Sequence, residues 1–553
     1  MVILGINQVS GLLTGQHDGA AALIKDGKLI ATAEEERFNR QRHAKGYPTL
    51  AIAYCLKEAG LTEKDIDIIA VGYNPYAFIK RGFFFLSFLP AVTYIAGIFI
   101  YHFGLQKIKK ASGAKVIFID HHLAHAASTY RCSGFKDVNA LTVDGAGETE
   151  TVAFYEGRNG TLTKRARINF AKRYDRAAIR SVGKAYTRLT SFLKLGAHGE
   201  GKTMGLASYG TPRFDMSKIL AIRSFSDYTI DRRNINGLYR KYERKSEKDE
   251  ITQDQKDLAA SLQDALEVAV VNLGKDANRM TGIRHFALAG GCALNCNANS
   301  RLLAQDFCDG LFVQPASNDS GIALGAALEA MHLVGDGDFI DFQHAYWGPG
   351  YDSEHIEHIL KESKVAYRRP NNVIEETADL IASGKIVGWF QGRMELGPRA
   401  LGNRSILANP AIKGINDTVN YYVKHREPWR PFAPAITEED APRYFEGVEK
   451  TKASPFMLET FYVKKELREK LPAITHIDGS ARIQTVRPDQ NERLYALLKA
   501  LETRTGHPMV LNTSFNDAGE PIVCTPRDAM RCYFATGMDV LVLGDFILEK
   551  QNG

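Results

Sequence analysis

Apolar and polar positions fall into blocks that repeat across the first third of the chain. Val2 to Asn7 reads as an apolar strand. A glycine-rich turn follows, then Ala20-Ala21-Ala22-Leu23-Ile24, an Asp26-Gly27 turn and Lys28 to Ala33. The same order returns with Ala140 to Val143, the polar turn Asp144-Gly145-Ala146-Gly147, Thr151 to Tyr155, an Asn159-Gly160 turn and Thr161 to Thr163. Two such halves facing one another form a cleft whose polar turns point at a shared ligand. Helical spacing of apolar residues marks 47 to 59 and, more strongly, 254 to 280.

Further along, Phe286-Ala287-Leu288-Ala289 is a buried strand that ends in Gly290-Gly291, and a helix is predicted from Asn295 onward. A strand, two glycines and a helix suit a phosphate approaching bare backbone and a helix N-terminus, and equally suit a tight turn. Ser317-Asn318-Asp319-Ser320-Gly321 opens another helix over Ile322 to Met331, with Asn318 or Asp319 available as its cap. The Gly/Pro/aromatic stretch Asp341 to Tyr351 reads as a linker. Lys385 to Phe390 is then a strand entering an α+β region, which divides the chain into 1–345 and 360–553.

At 553 residues the chain is too long for a single core. A hydrophobic content of 44% and a charged content of 24% describe a globular protein, and a net charge of +6 disfavours a dedicated nucleic-acid binder. Seven scattered cysteines without a CxxC pair predict reduced thiols in a cytoplasm. The first residues read as a strand, so no cleaved signal peptide is expected.

Residues 83–101 carry no charge and approach bilayer length. A span there would put Val71 to Asn74 and the strand Val116 to Ile119 on opposite sides of a membrane, although both read as parts of one domain. The expectations are therefore a buried hairpin, a homodimer contact, a membrane-surface patch or a wall of an apolar substrate pocket.

Chemistry concentrates in two places. Gly397-Pro398-Arg399-Ala400-Leu401-Gly402-Asn403-Arg404-Ser405 sets two arginines five apart among residues that bare the backbone, and Lys424 to Pro434 adds Lys424 and Arg430 on a proline-stiffened loop. Guanidinium forks and nearby main-chain N–H groups suit phosphate or carboxylate. Elsewhere, Asp120-His121-His122-Leu123-Ala124-His125 follows a strand, and His121 and His125 would share one helical face. With Asp144 and Asp319 they could ligate Fe(II), Mn(II) or Zn(II). On spacing alone, two hydrogen-bonded structural histidines are the stronger alternative. The general-base Glu of a His-Glu-x-x-His protease is absent.

Together these pieces resemble the O-carbamoyltransferases of nodulation-factor and antibiotic biosynthesis over nearly the whole chain. The marks of an actin-like ATPase-fold (duplicated ribonuclease H-like) α/β domain, akin to the tRNA threonylcarbamoyl-transfer protein, are Gln16 to Ala21, His121 to His125, Val143-Asp144-Gly145, Gly201 to Ala207, Gly290-Gly291 and Asn318 to Gly321. Those of an α+β YrdC-like domain are Gly397 to Ser405, Lys424 to Pro434, His476 to Arg482 and Leu511 to Asn516.

The resemblance implies that carbamoyl phosphate and ATP, the latter with Mg(II), give carbamoyl-adenylate in the second domain, and that the first passes the carbamoyl group to an acceptor hydroxyl. It implies Arg399, Arg404, Lys424, Arg430 and Arg482 as phosphate-holding catalytic residues, with Asn512, Ser514 and Asn516 orienting the carbamoyl group. It makes His121, His125, Asp144 and Asp319 ligands of a divalent metal, Fe(II) ahead of Mn(II) and Zn(II). Lys202, Gly205, Gly290, Gly291 and Asn295 would contact the nucleotide. His17 is the expected acceptor-side base, oriented by Asp18, with a turn histidine making one local hydrogen bond as its alternative. The stretches Ser10 to Gly15 and 83–101 depart from the family pattern, which points to a lipophilic or membrane-delivered small-molecule alcohol. Readings as a nucleotide-binding scaffold or as a carbamoyl-transfer enzyme acting on tRNA or protein compete with this one.

Overall fold

The computed structural model describes residues 1–7, 17–74, 76, 105–106, 109–170, 180–451 and 454–550. The chain forms two compact units: Met1–Glu35 with His43–Phe342, and Glu36–Arg42 with Gln343–Gly553. The segment Glu36–Arg42 thus belongs with the C-terminal half, a placement that nothing in its sequence announces. Both the stretch 83–101 and the turn Ser10 to Gly15 lie outside the described residues.

The first unit is built twice on one plan. β1 (Val2–Ile6), β2 (Ala20–Lys25), β3 (Lys28–Glu34), β4 (Ile68–Val71) and β5 (Lys115–Phe118) form a sheet ordered β3-β2-β1-β4-β5. The hairpin strands pair antiparallel, whereas β1, β4 and β5 run parallel. β6 (Asp137–Val143), β7 (Glu150–Arg158), β8 (Thr161–Asn169), the short pair β9 (Leu220–Ile222) and β10 (Tyr228–Ile230), β11 (His285–Ala289) and β12 (Gly310–Val313) follow. The second sheet is ordered β12-β11-β6-β7-β8, the same sequence of hairpin and parallel crossovers. This is the duplicated ribonuclease H-like topology of the actin-like ATPase fold. Every residue of β1 is buried, as a strand covered on both faces requires.

Two central helices exchange sheets. His121–Tyr130, which follows β5, packs on β6, β7 and β11, whereas Gly321–Leu333, which follows β12, packs on β1, β2 and β4. Their mutual contact depends on Gly325, where an added Cβ would stand 1.8 Å from the Ala124 carbonyl oxygen. Gly321 to Met331 is buried on all sides, consistent with its run of Ala, Gly, Ile and Leu. The long helix Gln253–Thr281 opens on a Thr252/Gln255 capping box and closes on left-handed Gly282.

In the second unit, β13 (Val387–Phe390), β14 (Arg404–Ala408), β15 (Ala433–Thr437), β16 (Phe445–Glu446), β17 (Thr460–Val463), β18 (Ser480–Arg482), β19 (Gln484–Val486), β20 (Met509–Ser514), β21 (Val540–Leu543) and β22 (Phe546–Glu549) form two sheets. The larger is ordered β19-β15-β20-β14-β13-β21-β22 with mixed directions, and the smaller β16-β17-β18. Helices Val373–Ala382 and Glu492–Thr505 pack together on the larger sheet around Trp389, Leu407, Leu494, Leu498 and Val510, giving an α+β unit.

Candidate functional site

The close approach of the two central helices brings His121 and His125 to the turn that carries Asp319, and the end of β6 adds Asp144. One ligand atom from each of the four residues lies within 4.8 Å of all the others. His121 Nε2 is 3.1 Å from Asp144 Oδ2, and His125 Nε2 is 3.8 Å from Asp319 Oδ1. His125 is fully buried, yet among the described residues neither of its ring nitrogens has a hydrogen-bond partner. A buried imidazole left that way costs about 1–3 kcal/mol unless something else satisfies it. A cation does so, and two imidazoles with two carboxylates are a donor set for a divalent transition metal.

The surroundings hold these ligands in place. Burial works against protonation of His121, but Asp144, Asp319 and Glu148 outweigh it and raise the group to about 9. Asp144 Oδ1 accepts from Gly291 N at 2.9 Å, which anchors the carboxylate. His122 belongs to the scaffold: its ring nitrogens meet Thr142 Oγ1 at 2.7 Å and the Glu150 carbonyl at 3.0 Å. Burial and the neighbouring His121 push it down to about 3. Glu148 accepts the main-chain N–H groups of His121 and Asn74 at the start of the ligand helix, and burial raises its carboxyl above the usual range.

Beside this cluster sits a second one. His17 Nδ1 is 2.9 Å from Asp18 Oδ2, within hydrogen-bond reach. Asn7 joins the two clusters, donating from Nδ2 to the carbonyls of Asp18 (2.6 Å) and Asp319 (2.8 Å). Asn318 does not cap the helix after it; its Nδ2 donates to Asp18 Oδ2 at 3.0 Å, and no side-chain cap bond is made by Ser320. The Asp18 hydrogen bond lifts His17 to about 9 in the metal-free state, with Asp319 and Asp144 adding to it.

Of the residues proposed for nucleotide contact, Lys202 and Gly205 lie on the helix Glu200–Ala207. Gly290, with φ 91°, lets its Cα approach β6: an added Cβ would stand 2.4 Å from the Val143 carbonyl oxygen. Gly291 supports Asp144. Asn295 caps the helix Cys296–Leu303 through Ala298 N and pairs its amide with that of Gln263. These three therefore have structural partners within the protein.

In the second unit the arginine motif is organised around a residue the sequence reading passed over. Glu395 Oε1 accepts the main-chain N–H groups of Leu401 (2.8 Å), Asn403 (2.7 Å) and Arg404 (3.0 Å). The bare backbone of Gly397 to Ser405 was expected to face a ligand anion; at those three positions it faces this carboxylate instead. Arg404 is fully buried, lies 3.7 Å over the Phe390 ring, and donates to the carbonyls of Gln391, Asn403, Pro349 and Gly392. Its Nη atoms thus face the protein's own backbone. Lys424 Nζ donates to Ser514 O (2.7 Å), Asn516 O (2.6 Å) and Asn516 Oδ1 (2.6 Å), and burial lowers it well below an ordinary lysine.

Arg399, Arg430 and Arg482 are half-buried. Burial lowers Arg430, opposed by Glu427 and reinforced by the nearby charges of Arg482 and Arg42. Asn512 is held by Nδ2 bonds to Gln484 Oε1 (2.9 Å) and the Ala400 carbonyl (3.3 Å), whereas its buried Oδ1 has no partner among the described residues.

The carbamoyltransferase N-terminus family model matches residues 8–82 and 86–328, and the carbamoyltransferase C-terminus model matches 378–550. The chain belongs to the carbamoyltransferase family. This carbamoyltransferase is 38% identical to nodulation protein NolNO of Sinorhizobium fredii over 98% of its own length and 80% of the relative's. It is 36% identical to an uncharacterized protein of Synechocystis over 99% and 97%, respectively. It is 35% identical to 3'-hydroxymethylcephem-O-carbamoyltransferase of Amycolatopsis lactamdurans over 48% and 49%. Full-length HypF in its phosphate- and nucleotide-bound form aligns with a TM-score of 0.38 at 14% identity, over 61% of this chain and 56% of that one. The strand order of the two sheets, rather than that likeness, assigns the fold. Among the described residues no helix is long and apolar enough to cross a membrane.

Proposed function

We propose that this carbamoyltransferase moves the carbamoyl group of carbamoyl phosphate, by way of carbamoyl-adenylate formed with ATP and Mg(II), to a hydroxyl of a small natural-product acceptor. The observation that carries the reading is the buried, unpartnered His125 within ligand reach of His121, Asp144 and Asp319. It supports a cation site there, in a family whose relatives include a cephem O-carbamoyltransferase.

In the second unit, Arg399, Arg430 and Arg482 hold the phosphates: water releases inorganic phosphate from carbamoyl phosphate to leave carbamate, the carbamate oxygen attacks the α-phosphorus of ATP, and the charge of the arginines offsets what develops as pyrophosphate departs. The unpaired Asn512 Oδ1 suits a carbamoyl NH2 donor, and Lys424 keeps the Ser514–Asn516 turn in shape beside it. Arg404 supports the motif from beneath.

In the first unit, His121, His125, Asp144 and Asp319 would hold a divalent metal, Fe(II) being the favoured ion. When bound, that metal supplies Lewis-acid charge for the phosphate and the carbamoyl oxygen. His17, with Nδ1 facing Asp18, takes the acceptor proton at Nε2 when neutral, a form that cation charge on Asp144 and Asp319 would favour, as the acceptor oxygen attacks the carbamoyl carbon and AMP leaves. A primary or secondary alcohol on a lipophilic scaffold is the acceptor class we favour.

The test needs no acceptor. Purified protein with ATP, Mg(II) and labelled pyrophosphate should exchange label into ATP only when carbamoyl phosphate is present. Absence of exchange from folded, metal-loaded protein would refute the adenylate route.

A further inference from the structure

Around His17 the backbone is strained at three positions: Asp18 has φ 63°, His43 54° and His198 56°. Each left-handed, non-glycine residue costs on the order of 1 kcal/mol, and such strain persists where surrounding structure over-determines it. Here the three side chains converge on one point. Asp18 is 6% exposed and accepts on both carboxylate oxygens, from His17 Nδ1 and Asn318 Nδ2 on Oδ2 and from His43 Nδ1 on Oδ1 at 2.6 Å. His198 stacks on the His43 ring with centroids 3.6 Å apart and planes 19° apart, and it meets His17 edge-on at 5.0 Å.

We propose that His43 is a positioning residue for the acceptor-side base: its Nδ1–H grips Asp18 Oδ1 so that the carboxylate cannot pivot away from His17, and His198 fixes the plane of His43. The inference rests on the reading of His17 as that base. A carboxylate held on one oxygen can rotate about its Cβ–Cγ bond, whereas one held on both presents a fixed acceptor to His17 Nδ1 and keeps Nε2 aimed outward. His17 and His43 each address a different oxygen of Asp18 at hydrogen-bond distance, which is the arrangement of a clamp. A second metal on His17, Asp18 and His43 is the competing occupant, since their ligand atoms also cluster.

The test uses the metal-loaded full chain and two variants chosen for backbone tolerance. His43→Gly accepts the left-handed backbone but has no donor; His43→Asn also tolerates it and keeps an N–H at the δ position. In proton NMR, the downfield Nδ1–H resonance of His17, identified by its loss in His17→Gln, should persist in His43→Asn and exchange-broaden away in His43→Gly. AMP release with 3'-hydroxymethylcephem as probe acceptor should lose about tenfold or more in kcat in His43→Gly, with KM unchanged, because misplacing a catalytic group by about 1 Å can cost 10²-fold. Persistence of the His17 resonance in His43→Gly overturns the proposal. So does loss of a metal equivalent in that variant, which would assign the cluster to a second cation. Retention of AMP release by His17→Gln would refute the base reading, while the NMR comparison would still decide the clamp.

Discussion

His125 Nε2 stands 3.8 Å from Asp319 Oδ1, beyond hydrogen-bond reach but near enough for both to close on one cation. The pair explains why an imidazole that is 0% exposed tolerates having no hydrogen-bond partner among the described residues. An apolar replacement removes that cost together with the ligand. His125→Leu should therefore leave the metal-free protein as stable as before or more so, because an unsatisfied buried group costs about 1–3 kcal/mol. It should also abolish the melting-temperature rise on adding Fe(II) or Mn(II). Thermal shift with and without metal checks both halves; a metal-induced rise retained in His125→Leu would remove His125 from the site.

The ligand geometry depends on the helix contact at Gly325 as much as on the ligands. With a Cβ placed 1.8 Å from the Ala124 carbonyl oxygen, Gly325→Ala must separate the helix bearing His121 and His125 from the one that follows Asp319. Overpacking of this kind costs about 1–3 kcal/mol or more. We expect a lower denaturation midpoint and at least about tenfold weaker metal binding, a loss of the size seen when ligand supports are removed. Unchanged metal affinity measured by calorimetry would show that the helices can part without disturbing the ligands.

The duplicated strand pattern was legible because each half carries its own hairpin turn, Asp26-Gly27 and Asn159-Gly160, between apolar strands. The residues that converge at His125 were legible in type, since two histidines four apart follow a strand. What spacing could not convey was the helix exchange that brings Asp319 to His125, because it depends on a contact between residues about two hundred positions apart. His43 and His198 were missed because each stands alone in a turn, and only the folded backbone brings His43 to Asp18 and stacks His198 on His43. Glu395 was hidden differently. A search for anion-binding loops favours their bases, and the acid that fills the backbone nest reads as a neutral neighbour.

Two arginines with similar sequence settings should respond oppositely. Arg404 is fully buried against Phe390 and bonded to carbonyls, so Arg404→Ala leaves those carbonyls unpaired and is expected to cost about 1–3 kcal/mol for each carbonyl left unsatisfied. Arg482 is half-buried and adds to the charge felt by Arg430. Arg482→Ala should keep the wild-type melting temperature and lose carbamoyl-phosphate-dependent pyrophosphate exchange by about 10²-fold or more, the scale of removing one charge-stabilising donor. Denaturation and exchange measured on both variants separate support from chemistry. Equal stability losses in the two would place Arg482 in the scaffold as well.

Glu459 gives the second unit a pH dependence of its own. Burial raises its carboxyl from the ordinary value near 4.5 to about 7, against a smaller opposing influence of the Ser454 side chain. Between those two values the folded chain binds a proton that the unfolded chain has released, so stability falls as pH rises through this window and levels off above it. The full effect is at most about 3 kcal/mol from the size of the shift. Glu459→Gln keeps the shape but carries no titrating proton. Its denaturation midpoint should match wild type at about pH 5 and exceed it at about pH 8, where the wild-type carboxylate is charged and buried. If the midpoints of the two proteins fall in parallel between these pH values, another group controls the slope, and the Glu459 pocket admits enough water to leave its carboxyl near the ordinary range.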